Sequence, residues 1–230
     1  MRILILTAMH KEWELVSRLI NEPTLLPSYD ETDDNKVLSG SVGKNQIILA
    51  KCGIGKVNAA LNTFLLIQKY HPDLVINTGV AGGINAPIGT MLLADKVCYH
   101  DVWCGPGTVT GQADGLPLYM LPSLNLINDL QSDSSLVNNF ITGLICSGDR
   151  FISKPEEVKE IRELYPDAKA VDMESAAIAH ACMMTKTPFL IIRIVSDTPG
   201  EGENIEQYKD FWTKAPEKTF SLIKEIISVC

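Results

Sequence analysis

The chain has 230 residues, 46% hydrophobic and 21% charged, with a formal net charge of −8. That fits one sizeable globular domain, residues 1–230, with a core large enough to need no covalent staples. The acidic balance excludes a nucleic-acid binder, because a phosphate backbone demands a basic face and no basic stripe interleaved with aromatics occurs.

Taken in chain order, the first apolar run is Arg2-Ile-Leu-Ile-Leu-Thr7, followed by a helical pattern near 9–21 that holds Glu12. Runs rich in Ile, Leu and Val read as strands buried on both faces of a sheet. Strand-like runs recur at 37–42, 46–52, 73–79, 91–99, 142–148, 168–172 and 188–195. Helical patterns recur near 55–70, 124–131, 154–164, 173–185 and 205–228. Alternating strand and helix predicts a three-layer α/β fold with a largely parallel central sheet flanked by helices. The hairpin-like pair at 37–52 makes the sheet mixed. The 103–123 segment has Trp103, several Gly and Pro residues and no period. A loop of that length is usually functional, and a lid and a subunit interface are both open readings.

Three acids each follow an apolar run: Glu12 after 2–7, Glu174 after Ala168-Lys-Ala-Val171, and Asp197 after Phe189-Leu-Ile-Ile-Arg-Ile-Val195. Taken singly, each has an ordinary explanation, since acids favour the first turn of a helix or cap a turn. One layout at three junctions points further. Ligand crevices of open α/β sheets lie outside the carboxyl ends of strands, so three carboxylates and Arg193 there suit acid/base chemistry on a polar small molecule.

Other motifs exclude more than they assign. Cys52-Gly-Ile-Gly-Lys-Val-Asn58 lacks the phosphate-loop spacing and has Val57 where a magnesium-binding hydroxyl belongs. It reads as a strand-to-helix turn whose backbone can line a pocket. Asn77-Thr-Gly-Val-Ala-Gly-Gly83 lets a ligand approach the backbone closely, without the dinucleotide fingerprint. Ser147-Gly-Asp-Arg-Phe151-Ile152 is no nucleophile elbow. Phe151 there is either a platform for a flat ring or a staple under the next helix.

The cysteines Cys52, Cys98, Cys104, Cys146, Cys182 and Cys230 are scattered through apolar segments and read as reduced core residues. Cys98-x-His100-x3-Cys104 and His180-x-Cys182 give no familiar four-ligand set. No metal and no cofactor is expected. No stretch approaches the roughly 18 apolar residues that cross a bilayer, and the first residues lack a secretory h-region. A cytoplasmic protein without a membrane partner is expected.

Together, Thr7-Ala-Met-x-x-Glu12, Gly53-Ile-Gly-Lys-Val57, Asn77-Thr-Gly-x-Ala-Gly-Gly83, Tyr99-His-Asp101, Ser147-Gly-Asp-x-Phe-Ile152, Val171-x-Met-Glu174 and Arg193-x-x-Ser-Asp197 resemble the 5'-methylthioadenosine/S-adenosylhomocysteine nucleosidases of the nucleoside phosphorylase superfamily. The resemblance implies hydrolysis of an adenine–ribose bond in a purine nucleoside. It makes Asp197 the acid that protonates the purine N7, and Glu12 the base that orients water, aided by Arg193. Glu174 and the Met173 backbone would hold the ribose hydroxyls. Phe151, Ile152, Val80, Ala81, Gly82, Ile54 and Ser196 would frame the nucleoside. A homodimer is implied, with the 103–120 loop completing the partner's pocket, in a nucleoside-catabolic or methionine-salvage role. Many relatives carry serine where Val80 stands, and Asp172 replaces a more usual glutamate. Three other readings stay open: a futalosine-type nucleosidase, a phosphorylase, and a non-catalytic nucleoside-binding module.

Overall fold

A computed structural model describes residues 1–27, 36–214 and 216–230. In chain order these form β1 (Arg2–Thr7), α1 (His10–Ser17), β2 (Asn21–Leu26), β3 (Val37–Val42), β4 (Asn45–Lys51), α2 (Lys56–Tyr70), β5 (Leu74–Gly83) and β6 (Met91–Tyr99). There follow α3 (Leu124–Ser132), β7 (Ile141–Ser147), α4 (Pro155–Leu164), β8 (Ala168–Asp172), α5 (Ser175–Thr185), β9 (Phe189–Asp197), α6 (Asn204–Lys214) and α7 (Pro216–Val229).

One mixed sheet runs β2-β3-β4-β1-β5-β8-β7-β6-β9. The β1–β4, β1–β5, β5–β9, β6–β7 and β7–β8 pairs are parallel, and β2–β3, β3–β4, β5–β8 and β6–β9 antiparallel. β9 pairs with β6 on one side and β5 on the other, so half of the sheet closes on itself rather than staying open.

The alternation of side chains along β1 makes the layers. Ile3 and Ile5 join a core with Trp13 and Val16 of α1 and Ile223 and Ile226 of α7. Leu4 and Leu6 face the other way, against Leu66 and Ile67 of α2 and Ala177 and Ile178 of α5. Side chains at successive strand positions point to opposite faces, so a strand apolar at every position is one covered by helices on both faces. This is the expected three-layer α/β architecture. Alanines 176, 177, 179 and 181 are all buried, and their small side chains bring α5 close to the sheet.

Three differences from the sequence reading have physical causes. Residues 21–26 form an edge strand where helix was expected to end; its residues are mostly exposed, Glu22 has φ 50°, and its register with β3 breaks between Asn21 and Thr24. The helix expected over 205–228 is two, with Pro216 opening the second, where a proline's missing N–H costs little. β5 runs on past residue 79 to Gly83 because β9, and then β8, pair with its extension.

Residues 103–119 form turns without a helix or strand, and Met120 makes an isolated antiparallel bridge to Val97. The segment is pinned by the Tyr165 hydroxyl, which donates to the Thr110 carbonyl at 2.8 Å. Cys52, Cys98, Cys146 and Cys182 are free and buried, Cys104 is free and exposed, and Cys230 is free and partly covered.

Candidate active site

A cavity of about 660 Å³, counting solvent at its mouth, opens where β1, β5, β7, β8 and β9 end. Glu12, Ile54, Val80, Ala81, Gly82, Phe151, Ile152, Met173, Glu174, Ser196 and Asp197 all line it. Of the residues singled out from the sequence, only Arg193 is not on its wall.

Glu12 stands in the first turn of α1 and is buried. Its Oε2 accepts the Ala8 and Met9 N–H groups, both at 2.9 Å, and its Oε1 accepts the Val80 N–H at 3.0 Å. A helix-capping role and a place on the cavity wall therefore coexist in one side chain. Burial raises its pKa, opposed by these N–H donors and the Arg193 charge. A carboxylate poised toward neutrality is suited to a base.

Glu174 stands at the N-terminal boundary of α5, without a side-chain capping bond, and is buried. Its Oε1 accepts the Gly55 N–H at 3.0 Å. Gly55 has φ 88°, a left-handed conformation that favours glycine, so the Gly53-Ile-Gly-Lys turn exists to aim that N–H. Burial first, then the Asp172 charge, pushes the Glu174 pKa up to about 7, against Arg193 and Gly55.

Arg193 lies behind this wall, 1% exposed. Its Nε donates to Asp172 Oδ2 at 2.7 Å and a terminal nitrogen donates to Asn77 Oδ1 at 2.5 Å. Burial opposes its charge, but Asp172, Glu174 and Glu12 outweigh burial and raise its pKa. Asp172 Oδ1 also accepts the Ser147 hydroxyl at 2.5 Å, and Oδ2 accepts the Ser175 hydroxyl. A buried ion pair so fully hydrogen-bonded meets the condition under which burial of two charges is sustained. Arg193 thus reaches the cavity as a field rather than as a contact.

Asp197 ends β9 and is 2% exposed. Its Oδ1 accepts the Ser196 hydroxyl at 2.7 Å and its Oδ2 the Asn204 amide at 3.3 Å. Burial raises its pKa, and these two donors hold it back. A carboxyl group kept protonated closer to neutrality is what an acid needs.

Among the lining or supporting residues not singled out from the sequence, Met9, Tyr208, Arg150 and Asn204 bear most on the site. Met9 and Tyr208 line the cavity, the Tyr208 hydroxyl 3.1 Å from Met9 Sδ. Tyr208 also meets Phe151 edge to face, ring centres 5.8 Å apart, so Phe151 is a wall of the mouth rather than a buried staple. Arg150 lines the cavity and pairs with Glu157. Asn204, at the head of α6, donates its side-chain amide to Asp197. Their positions depend on how α6 and the end of β7 dock, which no local pattern encodes. Among the described residues no group of three His, Cys, Asp or Glu is arranged to hold a metal.

This arrangement, acids at the rim of a partly closed mixed sheet, falls in a known class: residues 2–228 match the family model described as Phosphorylase superfamily. The chain is 40% identical over 194 residues to the 5'-methylthioadenosine/S-adenosylhomocysteine nucleosidase of Hydrogenovibrio crunogenus, covering 82% of this chain and 83% of the relative. It is 35% identical to that of Lysinibacillus sphaericus over 100% of both chains. The chain belongs to this superfamily and, within it, to the 5'-methylthioadenosine/S-adenosylhomocysteine nucleosidase family. Among solved structures, the Neisseria meningitidis nucleosidase in complex with methylthio-immucillin-A superposes with a TM-score of 0.90 at 32% identity, over 100% of this chain and 99% of that one. The Colwellia psychrerythraea nucleosidase in complex with adenine does so with a TM-score of 0.90 at 31% identity, over 100% and 95%. The Helicobacter pylori futalosine hydrolase shares the fold, TM-score 0.89, at 24% identity.

Proposed function

We propose that this chain, acting as a single nucleosidase domain, hydrolyses the adenine–ribose bond of 5'-methylthioadenosine and S-adenosylhomocysteine, releasing adenine and a 5-thioribose product. One observation carries the reading: Glu12, Glu174 and Asp197 come from three distant segments and line one cavity. The family membership and the relatives' names agree with it.

Asp197 gives its proton to the purine N7, so that adenine leaves as a neutral base. The C–N bond breaks with its electron pair going to the purine, leaving oxocarbenium-like charge on the ribose. Glu12 takes a proton from water as the water oxygen bonds to the anomeric carbon. Each such role is typically worth about 10²–10⁴ in rate. Glu174 accepts the ribose hydroxyls beside the Met173 backbone and, ionised, stabilises the developing cation. Arg193 keeps Glu12 and Glu174 toward their charged forms. Phe151, Ile152, Ala81, Gly82 and Ser196 enclose the base, with Val80 and Ile54 toward the sugar.

Water rather than phosphate is the nucleophile because a buried acid, Glu12, occupies the position where a phosphate would need cations. Arg150, a cation on the cavity wall, is taken up by Glu157. Adenine release measured with and without phosphate tests this; dependence on phosphate sinks the hydrolase reading. A futalosine-type nucleosidase is the second reading, since the Helicobacter pylori futalosine hydrolase shares this fold. Comparing turnover of methylthioadenosine, S-adenosylhomocysteine and aminodeoxyfutalosine decides; exclusive turnover of the last overturns the first reading.

A homodimer completes the proposal. Ile54, Val57, Leu61, Phe64 and Leu65 are exposed on and before α2, beside the cavity, and Trp103 is 63% exposed. These exposed apolar residues support an interface between two copies, in which the 103–120 loop would reach the partner's mouth. A cytoplasmic place in methionine salvage suits this activity; among the described residues no helix is long and apolar enough to cross a membrane.

A further inference from the structure

Asn204 is 3% exposed and stands seven residues beyond Asp197, at the first turn of α6. Its side-chain amide donates to two acceptors on the adenine side of the cavity: the Ile152 carbonyl at 3.2 Å and Asp197 Oδ2 at 3.3 Å. Gln207, three positions on, accepts the Thr198 N–H at 2.8 Å through its side-chain oxygen. Tyr208, four positions on, lines the cavity. Positions i, i+3 and i+4 share one helix face, so one face of α6 holds both sides of the acid.

We infer that Asn204 is a positioning residue for the acid: its amide fixes the Asp197 carboxyl relative to the Ile152 backbone and stabilises the carboxylate that forms when the proton leaves. This rests on the reading of Asp197 as the acid. The two oxygens of Asp197 have different neighbours, Ser196 on Oδ1 and Asn204 on Oδ2. Both donors are neutral, and hydrogen bonds to a charged acceptor are stronger than to a neutral one. They therefore strengthen as the proton transfers, which is stabilisation of the transition state rather than of the resting acid. Besides Asp197, the ionisable groups facing the same cavity are Glu12 from α1, Asp172 at the end of β8, Glu174 at α5, Arg150 after β7 and Tyr208 on α6. None of these is changed by altering Asn204.

The experiment uses the full chain, with N204A and the isosteric N204D, on two substrates: methylthioadenosine, and a 5-methylthioriboside of 4-nitrophenol, whose phenolate leaves without a proton. With N204A, kcat/KM for adenine release falls roughly tenfold near neutral pH, the size expected for a hydrogen bond to a charged group. The alkaline limb of the pH profile moves to higher pH, because Asp197 loses a donor to its ionised form. Nitrophenolate release stays within about twofold of the wild type. N204D moves the limb further up, since a second carboxylate faces the acid. An equal fall on both substrates with an unmoved limb overturns the inference and leaves Asn204 a structural cap of α6. A wild type that releases nitrophenolate but no adenine sinks the nucleosidase reading itself, a separable failure.

Discussion

A Cβ at residue 79 would run into the Glu12 carboxylate, with Oε1 as its nearest neighbour. Gly79 is paired in register with Arg193 on β9, and the next N–H along β5, Val80, donates to that same Oε1. The absence of a side chain at 79 therefore makes the space in which the Glu12 carboxylate sits. Gly79→Ala displaces the carboxylate from its three N–H donors. The expected result is a loss of about 10²-fold or more in kcat, with overpacking costing only about 1–3 kcal/mol of stability. Steady-state kinetics and urea titration on the same variant check it; unchanged kcat would mean Glu12 does not need that seat.

Asp197→Asn keeps the shape and the Ser196 contact while removing the transferable proton. Adenine release is expected to fall by about 10²–10⁴-fold, with near-native circular dichroism. Turnover of a nitrophenyl riboside survives the change, since its leaving group asks for no acid. Adenine release at the wild-type rate would remove Asp197 from the acid's role.

Glu174 supplies a pH dependence with a definite sign. Its pKa is about 7 in the fold against an ordinary 4.5, so the folded state binds more protons than the unfolded chain between those values. The contribution of this group to stability is complete below about pH 4.5 and is lost as pH rises through about 7. On the proposed reading function runs the other way, because the carboxylate would accept the ribose hydroxyls, and KM is expected to rise as pH falls through about 7. Thermal melts across that window should show a steeper fall in Tm with pH for the wild type than for Glu174→Gln, and the KM trend should vanish in the variant. Parallel Tm curves for the two proteins would contradict the assignment.

The exposed face of α2 predicts an assembly. Leu61 is 59% exposed and Phe64 41%; a charge at either position would be buried unpaired in a dimer and costs several kcal/mol. Leu61→Glu is expected to run as a monomer in size-exclusion chromatography with light scattering, and to lose activity if the partner's loop completes the pocket. A wild type that is monomeric at micromolar concentration would refute the dimer.

The acids were readable because one layout recurs: Glu12, Glu174 and Asp197 each follow a buried run of apolar residues, although any one of them alone fits a helix start or a turn cap. The β2 strand was unreadable for the opposite reason. Glu22 and Pro23 break the alternation, and an edge strand without a buried face leaves no period to find. Tyr208 and Asn204 follow a stretch, Thr198 to Glu203, whose glycines and glutamates read as loop, and only the docking of α6 against β9 turns them inward. Arg193 was placed at the correct sheet end, yet its long side chain is drawn back to Asp172 and Asn77. Position along a strand is a sequence property; the direction of an arginine is decided by its partners.

That last point gives the sharpest stability test. Asp172→Asn keeps size but leaves the Arg193 guanidinium, 1% exposed, without its ion-pair partner. Removing one member of a buried pair typically costs about 3–5 kcal/mol, far more than the net worth of the pair, because a charge is stranded away from water. The variant should show that loss in urea titration. The Glu174 pKa should fall, since Asp172 raises it while Arg193 lowers it, so the acidic rise in KM moves to lower pH. Asp172→Asn combined with Arg193→Met strands no charge and should recover much of the stability without recovering activity, because Glu12 and Glu174 then lose the field that keeps them ionised. A double variant no more stable than Asp172→Asn would show that the serines around Asp172, and not the ion pair, hold this layer together.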